Sequence, residues 1–393
     1  MKKIKVAFFI DVLREHFDGV SNTMHQLIKR IPKDRIEPIF ITPMVPDKDI
    51  GFPVYECPYI QIPVNKGYRM ALPKRMKNLA QILDDFEPDI VHWSSPSLLG
   101  AYAIKYAKKR DLPISTIYHT HFPTYADYYL GFIPKLEKLT SPIAKQMMKG
   151  YKNSSVISAP TKTMRSYLLK MGIPEDQVKI WGRGVELDRF SPNFRDIRFF
   201  DKYRACNTKK LLFVSRLVKE KETNTLIRLH HLLKENRPDL SLVITGDGPD
   251  RRRMEKNMPN AIFTGKLTGI DLATAYASAD VFVFPSITET FGNVVLEAMA
   301  SGLPVVAADA GGPSDIIQHE KTGLLIKPKD ENAFYNAVAT LIDDKNKTLR
   351  IQSAAHRYAV NQDWEQLSEV LFKRLEDLAS SAGEAESLVF AST

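Results

Sequence analysis

The sequence is poor in cysteine: 393 residues hold two, Cys57 and Cys206. They stand far apart with no partner pattern, which excludes a disulfide framework and a cysteine-ligated metal site. Long apolar runs are missing too. The longest, 279–285 and 303–308, fall well short of the roughly 18 to 20 residues that cross a bilayer, so no spanning helix is expected. The lysine-containing start, 1–11, meets Asp11, Arg14 and Glu15 instead of a small-residue cleavage site. It reads as a first strand, and the expected compartment is the cytoplasm.

What is present is the balance of a globular protein, 44% hydrophobic and 26% charged. At this length two domains are expected. A formal charge of +9 favours anionic partners: a phosphorylated ligand, an anionic membrane surface or nucleic acid.

Apolar runs of strand length alternate with amphipathic stretches of helix length, the pattern of parallel sheets covered by helices. Strands are expected at 4–10, 38–41, 89–92, 114–118 and 156–159. A first helix buries Met24, Leu27, Ile28 and Ile31, with Ser21 as its N-cap. After the aperiodic 181–192 stretch the pattern restarts at 211–214 and runs through 242–245, 261–263, 281–284, 305–308 and 324–326. The expected class is therefore α/β: two doubly wound, Rossmann-like domains, 1–182 and 183–362, facing across a cleft. A last helix, 363–380, is expected to return to the first domain, and 381–393 to form a loose tail. Ligands of such sheets bind at the carboxyl ends of the strands.

Residues 284–308 read FPSITETFGNVVLEAMASGLPVVAA: strand, loop, helix, glycine stop, strand. Glu289 lies in the loop and Glu297, eight positions on, inside the helix and opposite the Val295–Met299 face. A carboxylate there can accept from a vicinal diol, and the helix start near Gly292 offers backbone N–H groups to phosphate. A loop acid plus a dipole-satisfied helix acid, or a glycosidase carboxylate pair, are the competing readings. After the strand at 211–214, Arg216 and Lys221 place two cations five positions apart, suited to a diphosphate and to the charge growing on a leaving phosphate.

The 284–308 segment resembles the E-x7-E signature of retaining glycosyltransferase family 4, which has the GT-B architecture. The resemblance implies that Glu297 holds the ribose of a nucleotide, that Glu289 contacts hydroxyls of the transferred sugar, and that Phe291, Gly292, Asn293 and Val294 line the donor with backbone amides. Asn293 stands where many relatives are apolar. Arg216 and Lys221 match the family's R-x4-K pair, although Ser215 and Glu222 stand where relatives often have glycine. Gly246, in the TGDGP turn, and Gly19, after the first strand, would let the donor approach closely. Gly311 and Gly312 could aim N–H groups at phosphates or form a plain turn, with Asp315 in place of a family glutamate.

His119 corresponds to the family's active-site histidine near the reaction centre. His119 and His121 could instead chelate a metal, but no third ligand is evident and the fold class usually works without one, so no metal or other cofactor is expected. For retention without an enzyme nucleophile the resemblance implies front-face attack by the acceptor hydroxyl.

Two stretches, 65–79 and 128–149, interleave lysine and arginine with Tyr, Met, Leu and Phe. They suit an anionic bilayer interface, consistent with a lipid acceptor, and equally a solvated rim around a glycan site. The expected activity is hexose transfer from a GDP-mannose or UDP-glucose type donor to a lipid or glycan hydroxyl, possible at the cytoplasmic membrane face. The alternatives are an epimerase or hydrolase of the same fold, and a basic nucleic-acid binder. The last lacks a recognised motif, so no nucleic-acid partner is expected.

Overall fold

The computed structural model describes residues 3–15, 17–62, 67–119, 148–203 and 208–391, with side chains described as far as 381. It divides into two compact units, Met1–Gly182 with Trp364–Thr393, and Arg183–Asp363.

In the first unit short apolar strands supply a sheet that is buried on both faces, and such strands pair in parallel. They are β1 (Ile4–Phe9), β2 (Ile36–Thr42), β3 (Val54–Glu56), β6 (Ile90–Trp93), β7 (Ile114–Ile117), β8 (Val156–Ala159) and β9 (Val178–Ile180). A separate antiparallel hairpin joins β4 (Tyr59–Gln61) to β5 (Arg69–Ala71). The sheet order β3-β2-β1-β6-β7-β8-β9 reverses direction of growth between β1 and β6. Helices α2 (Leu79–Phe86), α3 (Leu98–Lys109) and α4 (Lys162–Lys170) belong to this unit. Leu79, Leu83, Leu99 and Ala103 pack with Val91 and Trp93 in one core, while α1 (Gly19–Ile28) packs Met24, Leu27 and Ile28 with Phe8 and Phe40 in another.

The second unit repeats the plan with β10 (Lys209–Val214), β11 (Leu240–Thr245), β12 (Ile262–Gly265), β13 (Val281–Phe284), β14 (Val305–Ala308) and β15 (Leu324–Ile326). Its parallel order, β12-β11-β10-β13-β14-β15, reverses between β10 and β13. The helices are α5 (Thr223–Asn236), α6 (Arg251–Asn257), α7 (Gly269–Ser278), α8 (Asn293–Ala300), α9 (Gly311–Ile316), α10 (Glu331–Asp343) and α11 (Lys345–Val360).

The last helix, α12 (Trp364–Ala391), lies on the first unit. Trp364 and Phe372 join the α1-side core, the Trp181 indole N–H donates to the Leu367 carbonyl at 2.7 Å, and Arg35 holds Glu369 at 2.6 Å.

Three expectations need correction. Asp18, not Ser21, caps α1: its carboxylate accepts from the Ser21 N–H at 2.8 Å, while the Ser21 side chain is buried. The expected loose tail continues α12 to Ala391. Its small residues include no proline, and Ser380 and Ser381 satisfy their hydroxyls on carbonyls one turn back, at 3.0 and 2.8 Å. The short strands β3, β4, β5 and β9 were not anticipated, because three-residue, half-exposed edge segments carry no apolar run.

Among the described residues no helix is long and apolar enough to cross a membrane.

Candidate active site

Strand β10 ends at Val214, and the chain turns through Ser215 and Arg216 into a 3-10 turn, Lys219–Lys221, before α5 begins. Leu217 and Val218 are buried and anchor that loop. Glu222, just before α5, has φ +55°, a left-handed conformation that costs a non-glycine residue about 1 kcal/mol. The glycine expected there would relieve this.

The 245–249 turn is fitted to the same loop. Gly246 has φ +138°, and a Cβ on it would sit 1.9 Å from the Ser215 carbonyl oxygen; one on Gly248 would sit 2.4 Å from that of Leu217. The Leu217 N–H donates to Asp247 O at 2.9 Å, and the Leu217 carbonyl accepts from the Asp250 N–H at 3.0 Å. Asp250 in turn accepts from the Thr223 hydroxyl at 2.6 Å and from Arg253 at 2.9 Å. The two loops are thus one backbone-to-backbone assembly, and glycine is required where they touch.

Beyond β13, on the other side of the switch point, lies the loop of Glu289. The Lys221 ammonium meets the Glu289 carboxylate at 2.5 Å, with side-chain exposures of only 10% and 20%. This ion pair joins the loops after β10 and β13, the two strands between which the sheet order reverses. Arg216 points its guanidinium to Glu220 at 3.2 Å and is the more exposed of the two cations. Neither residue type nor spacing signals that the loop acid and the basic pair meet.

Phe291 is buried, and Gly292 caps α8 in a left-handed conformation, φ +95°. Asn293 and Val294 form its first turn, partly exposed, with Val295 buried behind them. Helix α9 closes on this segment from behind. The Gly312 N–H donates to the Glu289 carbonyl at 2.8 Å and is not free for a phosphate; the glycine pair instead packs closely on the 287–291 loop. A Cβ on Gly312 would lie 2.1 Å from the Phe291 carbonyl oxygen.

Glu297, one turn into α8, accepts from the Tyr276 hydroxyl at 2.9 Å. Burial pushes its carboxyl up to about 7, against the opposing effects of that hydrogen bond and of the Arg189 charge. Tyr276 itself is fully buried on α7.

The first unit carries its own polar cluster at strand ends. Asp11, just past β1, accepts from the Ser97 hydroxyl at 2.9 Å, and burial raises its carboxyl to about 7. In sequence it registered only as a charge ending an apolar run. Gly19 is exposed in the first turn of α1, next to Asp18, which also accepts from the Tyr68 hydroxyl at 2.9 Å. His119 follows β7 and is largely buried. His121, Asn65, Lys66 and 128–147 lie outside the described residues. Among the described residues no cluster of three potential metal ligands occurs.

Two parallel doubly wound units, with their loops gathered at the carboxyl ends of the strands, are the two-domain α/β plan expected of the GT-B fold. Comparison with known proteins takes this further: residues 17–189 match the family model Glycosyltransferase Family 4, and residues 195–358 match Glycosyl transferases group 1. A GDP-mannose-dependent alpha-mannosyltransferase of Mycobacterium tuberculosis is 33% identical over 369 residues, covering 92% of this chain and 93% of that protein. The sulfoquinovosyl transferase of Arabidopsis thaliana is 33% identical, covering 92% of this chain and 71% of that protein. The chain belongs to glycosyltransferase family 4. Among solved structures, Anabaena HepE in complex with UDP aligns with a TM-score of 0.75 at 19% identity, over 95% of this chain and 100% of that one, a likeness of fold. Family membership favours the transferase over the epimerase, hydrolase and nucleic-acid readings.

Proposed function

We propose that this enzyme transfers mannose from GDP-mannose to a hydroxyl of a lipid or glycan acceptor, with retention of the anomeric configuration. The observation that carries the reading is the Lys221–Glu289 pair at the switch point, beside Arg216 and the start of α8. Arg216 and Lys221 meet the diphosphate, Glu297 accepts from the ribose, and Glu289 accepts from hydroxyls of the sugar. Phe291, Gly292, Asn293 and Val294 present the donor-facing backbone, and Gly246 lets the 245–249 turn close on the loop that carries Arg216.

The bond from the anomeric carbon to the phosphate oxygen breaks as the bond to the acceptor oxygen forms on the same face. The acceptor's proton passes to the leaving phosphate, whose charge the two cations stabilise. GDP-mannose is chosen over UDP-glucose because relatives of 33% and 29% identity are named for GDP-mannose. Incubation with GDP-mannose and UDP-glucose, with short-chain glycolipid and oligosaccharide acceptors, tests the donor, and the anomeric proton coupling of the product tests retention. Turnover with UDP-glucose alone, or an inverted product, overturns the corresponding half of the reading.

For the acceptor side we propose contact with an anionic membrane face. The β4–β5 hairpin exposes Tyr59, Ile60 and Met70, with the Arg69 guanidinium stacked 4.0 Å over Tyr59. Lys74, Arg75 and Lys77 follow as exposed cations. Each cation near an anionic surface contributes about 1 kcal/mol, so replacing all three by alanine is expected to weaken co-sedimentation with phosphatidylglycerol vesicles roughly a hundredfold. Unchanged sedimentation would leave a soluble glycan as the better acceptor.

A further inference from the structure

Glu297 is held in a way that the pair of signature acids does not by itself require. One of its oxygens, Oε2, accepts from the Tyr276 hydroxyl at 2.9 Å. That tyrosine has no freedom to do otherwise. It is fully buried on α7, its ring edge-on to Phe190 at 5.7 Å and tilted against Phe282 at 5.6 Å. Phe190 in turn carries the Arg189 guanidinium 5.2 Å from its ring, and Arg189 lies 3.6 Å from Glu186. The charged groups facing Glu297 are thus Arg189, which favours its ionised form, and Glu186, which opposes it.

We infer that Tyr276 is a positioning residue for nucleotide recognition: its hydroxyl fixes Glu297 as an acceptor and leaves Oε1 as the oxygen offered to the ribose. The inference rests on the proposed ribose role of Glu297. A hydroxyl that donates from behind keeps the carboxylate acceptor-only on that side. A ribose hydroxyl then donates to the remaining oxygen, and no competing rotamer has to be frozen out on binding. This places part of the donor site's selectivity for a ribonucleotide in a residue with no surface of its own.

The sign of the pH dependence follows. Ribose hydroxyls donate to the ionised carboxylate, so affinity is full above the carboxyl's midpoint of about 7 and falls as the pH drops through it. The tyrosine hydrogen bond favours the ionised form, so its removal moves that midpoint upward.

The test is calorimetric binding of GDP, UDP and 2′,3′-dideoxy-GDP between pH 6 and 9 to the full-length protein and to Tyr276→Phe, Glu297→Gln and Glu297→Ala. Tyr276→Phe keeps the ring and is expected to weaken GDP about tenfold at pH 7, since a hydrogen bond to a charged group is at stake. Its affinity curve should also shift to higher pH, while dideoxy-GDP, which lacks the diol, binds it and the parent protein alike. Glu297→Gln should lose the pH dependence whether or not Tyr276→Phe folds. If Glu297→Ala weakens GDP but Tyr276→Phe matches the parent in affinity and pH profile, the positioning role is wrong while the ribose role stands. Equal losses for GDP and dideoxy-GDP in Tyr276→Phe indicate general damage and also overturn it. A Glu297→Gln protein that keeps the pH step overturns it as well. If Glu297→Ala binds GDP normally, the ribose reading fails and takes the inference with it.

Discussion

Replacing Lys221 by alanine is expected to lower kcat for glycosyl transfer about a thousandfold. The ammonium is 2.5 Å from Glu289 and mostly shielded from water, so its charge acts in a medium where it is weakly screened. On the proposed reading a donor diphosphate binds beside Arg216 and gains negative charge as the sugar bond breaks. A single preorganised group aimed at such charge contributes factors of roughly 10² to 10³ in rate. Lysine supplies a compact charge that can pivot from carboxylate to phosphate, and the exposed Arg216 cannot take over its place between the two loops.

The variant also leaves Glu289 with no cation in a largely buried site. Breaking a buried pair from one side costs about 3 to 5 kcal/mol; with 20% of the Glu289 side chain still in contact with water, the lower figure is expected. Lost activity could therefore reflect lost folding, and a second variant separates the two. Lys221→Met combined with Glu289→Gln removes both charges while keeping the volumes. It should recover most of the melting temperature and none of the turnover. A kcat for Lys221→Ala within threefold of the parent would reduce the pair to a structural tie between loops.

The strand pattern was legible because the central strands carry short, mostly apolar blocks, uninterrupted in VFVF at 281–284 and VVAA at 305–308, which a sheet covered on both faces accommodates. Arg216, Lys221, Glu289 and Glu297 could be named from type and spacing for the same reason: they follow those blocks, where strand ends gather. Three things were not legible. Lys221 and Glu289 are 68 positions apart, and nothing local says that the loops after the first and fourth strands of a unit touch; the sheet order decides it. Tyr276 looks like one more core aromatic in LATAYASADVFVF, since the partly buried acid that its hydroxyl serves lies 21 residues on. Asp18 and Ser21 both suit an N-cap, and only the chain path out of β1 selects the aspartate.

Gly312 shows the opposite case, where the residue was noticed but its partner was not. Its N–H is spent on the Glu289 carbonyl, and its α-hydrogen faces the backbone of Phe291 so closely that a methyl group would sit 2.1 Å from the carbonyl oxygen. That contact is with main chain, which cannot swing aside as a flexible side chain can. Gly312→Ala must therefore displace the 289–291 segment or α9. Overpacking of this kind costs roughly 1 to 3 kcal/mol where side chains can adjust, and the upper figure is expected here.

The functional consequence should exceed the loss of stability. Moving the 289–291 segment carries Glu289 away from Lys221 and alters the entry to α8, and misplacement of reacting groups by about 1 Å can cost a hundredfold in rate. Gly269→Ala is the matched control. Gly269 also has positive φ, +56°, but a Cβ there meets nothing within 4 Å. Its penalty is the backbone strain alone, about 1 kcal/mol. Turnover by Gly312→Ala is expected to fall at least a hundredfold at a temperature where both variants are folded, with Gly269→Ala retaining the parent rate. Equal rates for the two would mean that the donor loop tolerates the shift, and that what α9 supplies is stability rather than the shape of the site.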